Sequence, residues 1–93
     1  MIVGVLQFEL LIEHAMSLKD KRRVVSSLKD RLHREHLAAV AEVDRLDEHR
    51  VAVLGLAVVS NSTTHARSML DRIIDQLRRG REYVLGEHQV EIL

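Results

Sequence analysis

The sequence predicts an α+β fold, a four-stranded antiparallel sheet in the order 4-1-3-2 with two helices on one face. Three observations lead there. Segments of strand and helix character follow one another as βαββαβ through residues 1–93. The first and third strands are apolar on most of both faces, which places them at the centre of a sheet. Each helical segment carries one apolar stripe, enough to cover one side of that sheet.

Residues 2–12 alternate, with Ile2, Gly4, Leu6, Phe8 and Leu10 on one side and Val3, Val5, Gln7, Glu9 and Leu11 on the other. Ser17 is placed as a helix N-cap, with Asp20 in the capping-box position three residues on. Leu18, Val25, Leu28 and Leu32 then recur at helical spacing, with Val24 alongside, to about His36. Leu37–Asp44 reads as the second strand, and Arg45–His49 as a long hairpin loop because no Asn-Gly or Asp-Gly pair is present. Arg50–Ser60 is the third strand. Asn61 or Ser62 caps a second helix whose stripe is Ala66, Met69, Leu70, Ile73, Ile74 and Leu77. Gly80 stands where a left-handed C-cap is expected. Val84–Leu93 is the last strand, with a bulge or bend at Gly86. With strands 1 and 3 central, the order 4-1-3-2 makes both βαβ crossovers right-handed, the ferredoxin-like arrangement. No proline, repeat or low-complexity tract breaks the pattern, so residues 1–93 read as a single domain.

Composition excludes several kinds of chemistry. With no cysteine, disulfides, thiolate metal sites and cysteine nucleophiles are absent. Met1–Ile12 is apolar but has no basic flank and carries Gln7 and Glu9, which argues against a signal peptide, and it is too short to span a bilayer. The expected location is cytoplasmic, with no membrane partner. Formal charge is zero overall, yet Ser17–His36 holds seven lysines and arginines against three acids, a local +4. Such asymmetry points to an anionic partner, or else to a solvated helix face.

Placing Leu6, Phe8, Leu10, Leu54, Leu56 and Val58 against the helices sends Val3, Val5, Val51, Val53, Ala57 and Val59 to the open face of the sheet. Gln7, Glu9, Glu42, Gln89 and Glu91 are expected to rim that face. An apolar centre with a polar rim suits a homo-oligomer interface through Val3, Val5, Val53, Ala57 and Val59, most simply a dimer. The face does not suit RNA, because sheet platforms stack bases on aromatic rings and this chain has only Phe8 and Tyr83. Nucleic-acid contact, where it occurs, is expected through Lys19, Arg22, Arg23, Lys29 and Arg34 of the first helix, as phosphate contacts. Lys19, Lys21, Arg22 and Arg23 crowd the first turns of that helix, where the dipole disfavours cations.

His33 and His36, three apart at the end of the first helix, are the closest approach to a metal pair, but two ligands without a third do not define a site. No metal or cofactor is expected. P-loop, dinucleotide and nucleophile-elbow motifs are missing, and Ser60-Asn61-Ser62 is explained by helix capping. The protein is expected not to be an enzyme.

Several strings together carry a family resemblance: Met1-Ile2-Val3-Gly4-Val5-Leu6, Ser17-Leu18-Lys19-Asp20-Lys21-Arg22, Ala41-Glu42-Val43-Asp44, Val58-Val59-Ser60-Asn61 and Val90-Glu91-Ile92-Leu93. Across essentially its whole length the chain resembles the YlxP-like proteins, a bacterial family of unknown function. That resemblance implies a ferredoxin-like fold and, from the genes that neighbour the family's own, a role near RNA or the ribosome. It brings no catalytic residues. Many relatives carry a Trp and a Gln-Arg pair in the hairpin loop. Here the stretch reads Glu48-His49-Arg50-Val51, so a function resting on that tryptophan does not carry over. An RNA- or ribosome-associated accessory factor is therefore the leading expectation, a homo-oligomeric interaction module the second, and a small-molecule or metal-dependent enzyme a remote third.

Overall fold

A computed structural model describes Met1–Leu93. Its elements are β1 (Ile2–Leu11), α1 (Leu18–His36), β2 (Ala39–Asp44), β3 (Val51–Ser60), α2 (Thr63–Arg78) and β4 (Val84–Ile92). The sheet runs β2-β3-β1-β4 with every pair antiparallel, the expected order read from the other edge. Alternation along β1 and β3 sets the register. Leu6 lies opposite Leu56 and Phe8 opposite Leu54, all four buried under the helices. A one-residue slip would turn this set outward, so burial pins the pairing.

Both helices are held by serine caps. Ser17 Oγ accepts from Asp20 N–H at 3.2 Å and Ser62 Oγ from His65 N–H at 3.3 Å, so Ser62 rather than Asn61 is the second cap. The return half of the first capping box differs from expectation, because Asp20 Oδ2 accepts from Met16 N–H at 2.9 Å and not from Ser17. Val24, Val25, Leu28 and Leu32 of α1 and Ala66, Leu70, Ile73, Ile74 and Leu77 of α2 face the sheet and are buried.

Three local expectations are corrected. Leu37 does not begin β2. It adopts left-handed backbone (φ 55) and caps α1 through Leu37 N–H to His33 O, so β2 starts at Ala39. Gly80 is not left-handed; α2 ends at Arg79 in right-handed backbone, and Gly80 N–H donates to Leu77 O. Close approach explains this glycine instead, since a Cβ there would collide with the Tyr83 ring. Glu42 does not rim the open face. It lies opposite Leu54, whose side chain is in the core, and so points toward the helices.

Gly86 does mark a bulge: Phe8 pairs with His88 but Leu10 with Leu85, so β4 spends one extra residue there. A second bulge falls at Val43, between the Glu42–Leu54 and Asp44–Val53 pairs.

Candidate functional site

The surface offers two regions of different chemistry. On the open side of the sheet, register builds rows of side chains across the strands. Ala39, Ala57, Val5 and Glu91 form one row, and Ala41, Gly55, Gln7 and Gln89 the next. Val3 and Val59 are paired beyond them. The apolar half thus lies over β2 and β3, and the polar half over β4. Of the five residues expected at an interface, Val59 is 62% exposed, whereas Val53 is only 8% exposed, screened within its own chain. Val3, Val5 and Ala57 are half-buried. No ring is available here, because Phe8 and Tyr83 are both in the core.

The other region is the outer side of α1. Lys19, Arg22, Arg23 and Arg34 are exposed and Lys29 half-buried. Only Arg23 has a carboxylate partner, Glu82 at 3.4 Å, and both members are largely solvated, so the pair is weak. The remaining four cations have none. The helix spacing that buries Val24, Val25, Leu28 and Leu32 turns these residues outward together.

Lys21 behaves otherwise. Its position continues the Leu18, Val25, Leu28, Leu32 stripe, and the side chain is 1% exposed. The ammonium is 2.7 Å from Glu42 Oε2 and donates to Arg45 O at 3.0 Å and Val51 O at 3.1 Å, which engages all three of its protons. Glu42 Oε2 is itself buried, with no donor other than that ammonium. One lysine thereby ties the start of α1 to both sides of the β2–β3 hairpin loop. The sequence signal was the gap in the stripe at residue 21.

Beside Arg23, two adjoining hollows lie between α1 and the α2–β4 connection. The smaller, about 260 Å³, includes His14, Asp20, Arg23 and Arg81. The larger, about 380 Å³, includes Arg31, Gln76, Arg79, Arg81 and Tyr83. Sequence reading missed Arg31, Arg79 and Arg81, which come from segments nearly fifty residues apart and carry no local motif. Burial pushes the Tyr83 phenol above the ordinary tyrosine range, and the nearby Arg31 guanidinium pulls it partly back.

The two histidines weighed for metal take separate partners. His33 Nδ1 lies 3.1 Å from Ala38 O, and His36 Nε2 lies 2.7 Å from Gln76 Oε1. No three His, Asp or Glu side chains converge. No helix is long and apolar enough to cross a membrane.

Comparison with known proteins places the chain in a family and supports the fold. Residues 3–90 match the family described as a protein of unknown function, DUF503, and the chain belongs to that family. No curated protein matches it in sequence. Among solved structures, it is similar to the solution structure of a de novo designed protein with a ferredoxin fold. The TM-score is 0.58 at 18% identity, over 98% of this chain and 86% of the designed one. At that identity the likeness speaks to the ferredoxin-like fold alone.

Proposed function

We propose that this protein is a non-catalytic accessory factor that associates with RNA or the ribosome through the outer side of α1. The observation that supports this reading is the set Lys19, Arg22, Lys29 and Arg34, four cations on one helix without a carboxylate partner. Unpaired surface cations gain most from phosphates, whose counterions are released on contact. The resemblance to YlxP-like proteins points the same way. The sheet is the wrong surface for this role, having neither exposed rings nor any lysine or arginine in its strands. Affinity capture from growing cells, with and without nuclease, tests the reading. RNA or ribosomal proteins should copurify with the wild type and be lost from the Arg22→Glu/Arg23→Glu double variant. Equal recovery from both, or recovery of neither RNA nor ribosomes, would count against it.

A second reading rests on the open face of the sheet, where Val59 is exposed beside Val3, with Val5 and Ala57 half-buried next to them. Such an apolar surface suits a two-fold homodimer. Sedimentation should give a dimer mass that Val5→Glu shifts toward monomer. A monomeric wild type at high micromolar concentration would sink this reading.

A further inference from the structure

We infer that the larger hollow between α1 and the α2–β4 connection is a phosphate-binding cleft, with Arg31, Arg79 and Arg81 as its ligands. On the reading proposed above, the phosphate belongs to an RNA backbone; the site chemistry itself does not depend on that reading.

Three guanidinium groups from two separate elements line a space of about 380 Å³, ample for a phosphate group. None of the three has an ion-pair partner, and the one carboxylate in the lining, Glu82, is engaged by Arg23 at 3.4 Å. Bringing like charges together is unfavourable until an anion enters. The remaining polar lining also donates. Gln76 Oε1 is engaged by His36 Nε2 at 2.7 Å, and the Gln76 amide N–H groups and the Tyr83 hydroxyl can donate to an anion. Arginine forks match phosphate oxygens two at a time, which a scatter of lysines would not.

The connection is also held in place. Arg79 N–H donates to Gln76 O at 3.1 Å and Gly80 N–H to Leu77 O at 3.2 Å. The Tyr83 ring packs on Gly80, so Arg79 and Arg81 flank a fixed point and do not belong to a free loop. That rigidity limits the ordering cost of binding.

Tyr83 is the only tyrosine, and there is no tryptophan, so intrinsic emission and phenol ionisation both report on this cleft. Inorganic phosphate and a short oligoadenylate should be titrated separately, against sodium chloride at matched ionic strength. Phosphate should change Tyr83 emission and raise its ionisation midpoint, because the bound anion cancels the influence of Arg31. Arg79→Gln/Arg81→Gln should abolish that response. The same variant should flatten the salt dependence of oligoadenylate binding by about 0.7 in log–log slope per lost contact. The exposed pair Arg67→Gln/Arg72→Gln, outside the cleft, should change neither. A phosphate response no larger than that to chloride, or one unaltered in Arg79→Gln/Arg81→Gln, overturns the site. A phosphate response without oligoadenylate binding upholds the cleft, assigns it to free phosphate compounds, and removes the RNA reading. Oligoadenylate binding lost in Arg22→Glu/Arg23→Glu but unchanged in Arg79→Gln/Arg81→Gln upholds the reading proposed above and overturns the assignment of the cleft to an RNA backbone.

Discussion

The helices and the sheet of this molecule divide the charge between them. None of the fourteen lysines and arginines lies in a strand, and α1 alone holds seven. The strands carry Glu9, Glu42, Asp44, Glu87 and Glu91, of which only Glu42 reaches a cation. A formal net charge of zero therefore conceals a basic layer on an acidic and apolar one. On the proposed reading, phosphates would be drawn to the helices and not to the open sheet, whose β2–β3 half is the more apolar. The single charged tie between the layers, Lys21 with Glu42, is buried at its ammonium and only slightly exposed at its carboxylate side chain.

That tie gives the largest expected effect. Lys21→Ala strands Glu42 and two carbonyls beside a cavity, and should cost about 3–5 kcal/mol in urea unfolding. Lys21→Met with Glu42→Leu should recover most of the loss, since apolar replacement of a buried pair is often neutral. If the double variant is as unstable as Lys21→Ala, the layers are joined by something other than this pair. Ile73→Ala or Leu56→Ala, on the shared apolar seam, should cost about 2–5 kcal/mol. A loss within about 0.5 kcal/mol would mean the residue does not belong to the core. Gly80→Ala forces the Tyr83 ring from its seat and should cost about 1–3 kcal/mol, as overpacking does. Combining it with Tyr83→Ala, which vacates the space, should make the glycine change nearly silent.

The smallest effect is confined to alkaline pH. Burial raises the Tyr83 pKa in the folded chain, so above the ordinary tyrosine value the unfolded chain releases a proton that the folded chain keeps. Stability therefore falls as pH rises from that value through the raised one, and is unaffected below it. Urea midpoints of wild type and Tyr83→Phe should diverge only in this window, with the phenylalanine variant the less sensitive.

Fold and site were unequally legible in the sequence. Runs apolar on most of both faces in Val3–Leu10 and Val51–Val58 identified the central strands, and Ser17 and the Asn61-Ser62 pair marked both helix starts, because these signals are local. In β2 the parity was unreadable. Ala39, Ala41 and Val43 alternate with Val40, Glu42 and Asp44, and either set could face inward. A glutamate suggested solvent, but its burial depends on Lys21, twenty-one residues earlier and on another element. Arg31, Arg79 and Arg81 are likewise joined only by the crossing of α1 over the end of α2. Chemistry assembled from distant segments leaves no spacing to read.

The position of β1 between β3 and β4 bears on how the chain folds as it is made. Its partners lie far along the sequence, Leu6 pairing with Leu56 and with Val90. During synthesis β1 must therefore wait for β3 before its first edge is paired and for β4 before its second. The β2–β3 hairpin can close early, but the full sheet cannot. Distant pairings of this kind slow folding and make it all-or-none, so truncation before β4 should leave an aggregation-prone chain and not a smaller folded unit.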